Sequence, residues 1–157
     1  MGFESSDPGT VNSGDALVLD NSVAMRWLVA SGKAADQQYA IRVRDYIQAQ
    51  RLRVMVPYLW TYEAAHVAAR YANLGELEYG VAANALTALH ELCSIIIDRE
   101  APLALFEFAD RYGVSAYDAA YLMLARSQSL PLATVDRKMR RVAKKLRITV
   151  FGVDRQG

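Results

Sequence analysis

Cysteine is almost missing from this 157-residue chain: Cys93 stands alone. An intramolecular disulfide is therefore excluded, and the composition suits a reducing compartment. Histidine is nearly as scarce. His66 and His90 are the two present, and neither stands at ligand spacing from Cys93, which argues against a Cys/His zinc site. No apolar run reaches the roughly 20 residues that a bilayer span requires. The opening stretch, MGFESSDPGTVNSGD, has neither the basic start nor the apolar segment of a secretory signal. A cytoplasmic protein without a membrane partner is expected. An excess of charge of one sign is also missing: 18 Lys and Arg against 17 Asp and Glu give a net +1. One absence is local. From Arg137 to Arg147 there is no acid, while Arg137, Lys138, Arg140, Arg141, Lys144, Lys145 and Arg147 crowd together. Such a stripe can bind polyanions on a nearly neutral protein, although it can equally be the solvated face of an amphipathic helix.

What is present describes a globular domain. The chain is 53% hydrophobic and 22% charged, and its length suits one domain with a real core. Residues 1–15 read as a flexible polar lead-in, 16–153 as the domain and 154–157 as a tail. Short apolar runs alternate with helical patterns. Strands are expected at 16–20, 53–56, 94–98, 132–135 and 148–151. Helices are expected at 22–30, 34–50, 59–73, 76–92, 102–112, 115–128 and 137–146. Tyr39, Val43, Tyr46 and Ile47 mark the apolar face of the second helix. Leu59, Tyr62, His66 and Val67 mark that of the third, which makes His66 a packed histidine. Leu77, Val81, Ala85, Ala88, Leu89 and Leu92 mark that of the fourth. Cys93 reads as buried filler. Continuous apolar strands separated by helices indicate a parallel sheet covered on both faces, a three-layer α/β/α sandwich of about five strands.

In such sheets, ligands bind beyond the carboxyl ends of the strands. Asp20 and Asp136 directly follow strands. Glu63 lies in the first turns of the helix after the second strand, and Asp118 opens the helix from Ser115. Each acid has a plainer explanation. Asp136 and Asp20 can cap helices, Ser115 and Asp118 fit a capping box, and Glu63 can be a surface residue. Capping does not explain why all four fall on one side of the sheet. Asp98 is a further acid at a strand end, but the following Arg99-Glu100-Ala101-Pro102 favours a loop start. Clustered carboxylates repel one another. Either some of them protonate or a divalent ion neutralises them, and for an ion all-oxygen donors favour Mg²⁺ or Mn²⁺ over Zn²⁺.

The segments LVLDNSVAMRWL, VPYLWTYEAAHVA and VSAYDAAYLMLARSQSLPLATVDRKMRRVAKKLRITV, with their spacing, resemble the PIN domain. The likeness is greatest to the VapC toxins of bacterial toxin–antitoxin pairs. It spans about residues 16–153, and SAYDAAYLMLA and LATVDRK are its most specific parts. The resemblance implies a metal-dependent ribonuclease with the acidic quartet at Asp20, Glu63, Asp118 and Asp136. It matches the family's small hydroxyl residues to Ser22 and Thr134. It also implies a VapB-like antitoxin partner. Some members carry one more acid after the fourth, where this chain has Lys138 and Met139; this puts a second ion in question.

On this reading Asp20 and Asp118 anchor the ion, Asp136 and Glu63 complete the site, and Glu63 orients a water for attack on the phosphodiester. Arg26, Arg137, Lys138 and Arg141 are the candidates for holding the RNA backbone. The Ala- and Tyr-rich helices over 59–92 offer apolar surface for a partner helix or a homodimer. Two rivals stand beside it. A phosphotransferase using Asp20 as nucleophile would want a second Asp where Ser22 stands. A catalytically silent PIN-like module that binds RNA or protein would need no intact quartet.

Overall fold

The computed structural model describes residues 15–97 and 100–152. The expected lead-in, apart from Asp15, lies outside the described residues, as do Asp98 and the tail 154–157. The chain runs β1 (Ala16–Leu19), α1 (Asn21–Ala24), a 3₁₀ turn (Met25–Trp27), α2 (Ala34–Gln50), β2 (Arg53–Pro57), α3 (Leu59–Asn73) and α4 (Tyr79–Leu92). It continues through β3 (Cys93–Ile96), α5 (Pro102–Tyr112), α6 (Ala116–Gln128), β4 (Leu132–Ala133) and α7 (Arg137–Lys145).

All strand pairs are parallel, in the order β3-β2-β1-β4. Every residue of β1 is buried, as the continuous apolar run ALVL requires of a central strand covered on both faces. Helices flank the sheet, and α6 packs on β1 and β2. Among the described residues the sheet has four strands, not five. Residues 148–151 contribute one parallel bridge, Leu132 to Val150, with Leu132 N–H on Thr149 O and Phe151 N–H on Leu132 O, both 2.9 Å. Their partner β4 is two residues long, too short to extend a ladder.

Helix ends obey local chemistry. Pro102 sits in the first turn of α5, where its missing N–H is harmless. Gly113 closes that helix at φ 63°, a left-handed turn that glycine adopts without strain and that releases the chain toward α6. The fourth helix starts at Tyr79, not 76, because the Glu78 carboxylate caps the amides of Gly80 and Val81. The expected helix over 22–30 is a single α-turn from Asn21 followed by 3₁₀ geometry.

Helix faces differ from expectation where the core is built from alanine. The third helix buries Trp60, Ala64 and Ala68, so Tyr62, at 67%, and His66 face solvent. The fourth buries Ala82 and Leu89, leaving Val81 and Leu92 exposed. Alanines fill core positions beside Trp60 and Leu89, while Tyr62, Val81 and Leu92 are turned outward. Tyr46 is likewise half-exposed on α2, whose buried set is Tyr39, Ala40, Val43 and Ile47.

Cys93 is buried in β3 against β2, and burial pushes its thiol up to about 12. Thiolate, not thiol, is the nucleophile. Iodoacetamide at about pH 8 should therefore leave Cys93 unmodified in the folded protein and alkylate it rapidly in denaturant. Equal rates, read by mass spectrometry, would contradict the packing.

Candidate active site

The chain passes from β1 to β2 and β3 on one side, then returns to place β4 on the other side of β1. Connections leaving β1 and β4 therefore diverge, opening a crevice at their carboxyl ends. Asp20 stands there, 6% exposed. It is the residue before α1, yet its side chain caps nothing. Instead Oδ2 accepts the Ser22 hydroxyl at 2.6 Å and the Thr134 hydroxyl at 2.8 Å. Thr134 is fully buried and belongs to the turn after β4, so this pair of bonds clasps the two sides of the crevice. Among the described residues, Asp20 Oδ1 accepts no hydrogen bond, which leaves it free for a ligand.

The other three acids come from three further helices. Glu63, half-buried on α3, accepts the Tyr121 phenol at 2.7 Å on Oε1. Tyr121 lies on α6, 1% exposed, one turn beyond Asp118. The Asp118 amide donates to Ser115 Oγ at 3.0 Å, so Ser115 is the N-cap and Asp118 is held in the first turn of α6. Asp136 caps α7 through Met139 N–H at 2.8 Å on Oδ1. Capping thus accounts for half of the Asp136 carboxylate and for none of Asp20.

These acids act on one another. Burial is the main force raising Asp20 above the ordinary carboxylate range. The two hydroxyls oppose it, and the charges of Asp118 and Asp136 add to it. Burial also raises Glu63, opposed by the Tyr121 bond and reinforced by Asp20 and Asp118. Asp118 rises for the same reason, with Ser115 pulling down, Asp136 pushing up and Lys138 offsetting in part. No ion pair among the described residues involves any of the four. Nor, among those residues, do any three His, Cys, Asp or Glu side chains gather closely enough to hold an ion alone. The donor set is all oxygen and short of positive charge, which fits a hard cation.

The remaining expected residues divide. Arg137, Lys138 and Arg141 are exposed on α7, whose buried stripe is Met139, Val142 and Ala143. Arg26 is turned inward: Nη1 donates to Ser22 O at 2.7 Å and Nη2 faces Asp36 at 3.7 Å. These contacts tie the turn carrying Ser22 to α2. Two groups escaped the sequence reading. Tyr121 had no signal linking it to Glu63, 58 residues away. Arg140 donates from Nε to Thr134 O at 2.8 Å, beneath the hydroxyl that grips Asp20.

A PIN-domain family profile matches residues 17–145, and the chain belongs to the PIN-domain family. PIN domains are in general a nuclease fold, which supports a hydrolase acting on nucleic acid. No curated protein matches. The crystal structure of PAE2754 from Pyrobaculum aerophilum superposes with a TM-score of 0.58 at 21% identity, covering 84% of this chain and 89% of that one. At that identity the likeness speaks for the fold. Among the described residues, no helix is long and apolar enough to cross a membrane.

A carboxylate raised in the folded state favours folding while protonated, and that contribution is lost as pH rises through the raised value. In EDTA, the thermal midpoint of Asp20→Asn minus that of the parent should therefore grow between about pH 4 and about pH 7. Taking the difference removes groups common to both, such as Glu78. A gap that is flat with pH would show that Asp20 carries no desolvation penalty.

Proposed function

We propose that this protein is a divalent-metal-dependent ribonuclease that hydrolyses RNA phosphodiesters, the toxin of a type II toxin–antitoxin pair resembling VapC. One observation carries the reading: a buried carboxylate, Asp20, is held by two hydroxyls at the sheet's switch point and pressed electrostatically by Asp118 and Asp136, and among the described residues no ion pair balances it. The preference for RNA rests on the family resemblance, because the acids alone do not require a 2′-hydroxyl.

Asp20 and Asp118 would hold a Mg²⁺ or Mn²⁺ ion, with Asp136 and Glu63 reaching it directly or through water. When bound, the ion supplies Lewis-acid polarisation of the phosphodiester and acidifies a water. The protein's own part is positional. Ser22 and Thr134 fix Asp20 so that Oδ1 faces the crevice. Tyr121 occupies Glu63 Oε1, leaving Oε2 to accept a proton from the attacking water. Water adds to phosphorus, the bond to the 3′ oxygen breaks, and that oxygen takes a proton from solvent, so a 3′-hydroxyl and a 5′-phosphate result. Arg137, Lys138 and Arg141 would bind flanking phosphates.

Exposed Tyr58, Tyr62, Tyr79 and Val81 on and beside α3 and α4 offer an apolar surface suited to an antitoxin helix or to a second copy of the chain. The open spacing of the acids is also compatible with a silent RNA- or protein-binding module, and the same experiment separates the two.

Asp20→Asn and Asp118→Asn should each lower Mn²⁺-dependent cleavage of single-stranded RNA by at least about 100-fold, with circular dichroism unchanged. EDTA should abolish cleavage by the parent. Mn²⁺ should raise the melting midpoint of the parent more than that of either variant. If both variants cut RNA like the parent, the assignment is wrong. Tyr121→Phe removes one hydroxyl and keeps the ring. It should weaken Mn²⁺ binding by about 10-fold in calorimetry, and unchanged affinity would make the phenol a packing group only.

A further inference from the structure

Beyond β4, a cavity of about 360 Å³ opens between the second helix and the segment at 151–152, lined by Tyr39, Arg42, Val43, Tyr46, Phe151 and Gly152. Its size falls in the range of small-ligand pockets, about 300–1,000 Å³. Tyr39 and Val43 form a buried floor, and the Tyr39 hydroxyl is anchored on Phe151 O at 2.6 Å. Tyr46 and Phe151 line it as a packed pair, edge to face with centroids 5.0 Å apart. Tyr46 is 48% exposed. Gly152, at φ 68°, completes the lining beside the Tyr39 ring.

Charge decides among possible occupants. The Arg140 guanidinium lies over the Tyr39 ring, 4.7 Å from its centroid. Arg42 is near enough to act on the same phenol. Asp45, beside Tyr46 in sequence, is already paired with Arg44 at 3.2 Å. Arg140 also leads onto the basic face of α7. The 148–151 segment runs parallel to β4, so Phe151 ends at the same carboxyl edge as the acids. Thr134 links the two places, since it holds Asp20 by its hydroxyl and Arg140 by its carbonyl. An aromatic hollow flanked by guanidiniums, next to a basic helix, matches the way single-stranded nucleic acid is bound: bases stack while cations follow the phosphates.

We infer that this hollow receives an unpaired base of a single-stranded RNA whose phosphates lie along α7. The inference rests on the ribonuclease reading above. It is tested on the non-cleaving Asp20→Asn chain by fluorescence anisotropy, with a labelled oligouridine and the same ribose-phosphate strand lacking bases. Adding Tyr46→Ala should weaken oligouridine binding by about 5- to 100-fold, and Tyr46→Phe should restore it. The abasic strand should bind all three proteins within about twofold. Unchanged oligouridine affinity for Tyr46→Ala, or an equal loss on the abasic strand, would overturn the inference. So would failure of the Asp20→Asn chain to bind RNA, or a shift from dimer to monomer in gel filtration with RNA affinity intact, which would make the hollow a protein interface. Cleavage by the parent is scored separately. RNA binding that depends on Tyr46 in a protein without nuclease activity would retain the hollow and remove the catalytic reading.

Discussion

The structure turns on one carboxylate that water barely reaches. Removing an ionised group from water costs several kcal/mol unless its charge is met. Asp20 receives two neutral hydroxyl donors and, among the described residues, no ion pair. Hydroxyls satisfy lone pairs but do not cancel charge, and three further acids oppose ionisation from the same edge. A fold that retains such a group carries a standing electrostatic deficit at neutral pH. Proton uptake or a cation relieves it. Perturbed acids clustered in a crevice are a physical pointer to function in a way that surface acids are not.

The sheet explains why the deficit lies where it does. A parallel strand ends with its next residue at the carboxyl edge, and the β3-β2-β1-β4 order parts the loops after β1 and β4. Thr134 spans that parting. Its hydroxyl donates to Asp20 and accepts the Asp136 amide at 3.1 Å, and its carbonyl takes Arg140. A fully buried threonine thus sets one acid, the start of α7 and the first inward arginine of that helix together. On the other side Arg26 holds Ser22 by its carbonyl, and Ser22 in turn holds Asp20.

Much of this was legible in the chain, for physical reasons that differ by element. The bounds of α2, α3 and α5 could be read because Gly, Pro and the apolar period punctuate them. Strand polarity alone sends Asp20, Glu63 and Asp136 toward one edge, whereas Asp118 depends on how its helix packs. Helix faces were less legible. Alanine carries little hydrophobic signal, so tyrosines were assigned inward on α3 and α2 where Ala64, Ala68 and Ala40 occupy the core. The fifth strand was overread because an apolar ITVF run cannot announce that its partner is two residues long. Tyr121 and Arg140 were invisible in their roles, since each partner is fixed by packing and not by spacing.

Acids and phosphates repel, so a carboxylate edge by itself would turn RNA away. The chain answers with geography, since its net charge of +1 offers no general attraction. Arg137, Lys138 and Arg141 rise from the helix that Asp136 caps, and this sets positive charge within a turn of the acids while leaving the acids themselves without an ion pair. Lys138 moderates Asp118 without neutralising it. A lysine closing directly onto Asp20 would have settled the electrostatics internally and left nothing for an external cation to do. On the proposed function, cations kept one step removed are available to flanking phosphates, while the acids keep their demand for an ion at the scissile one.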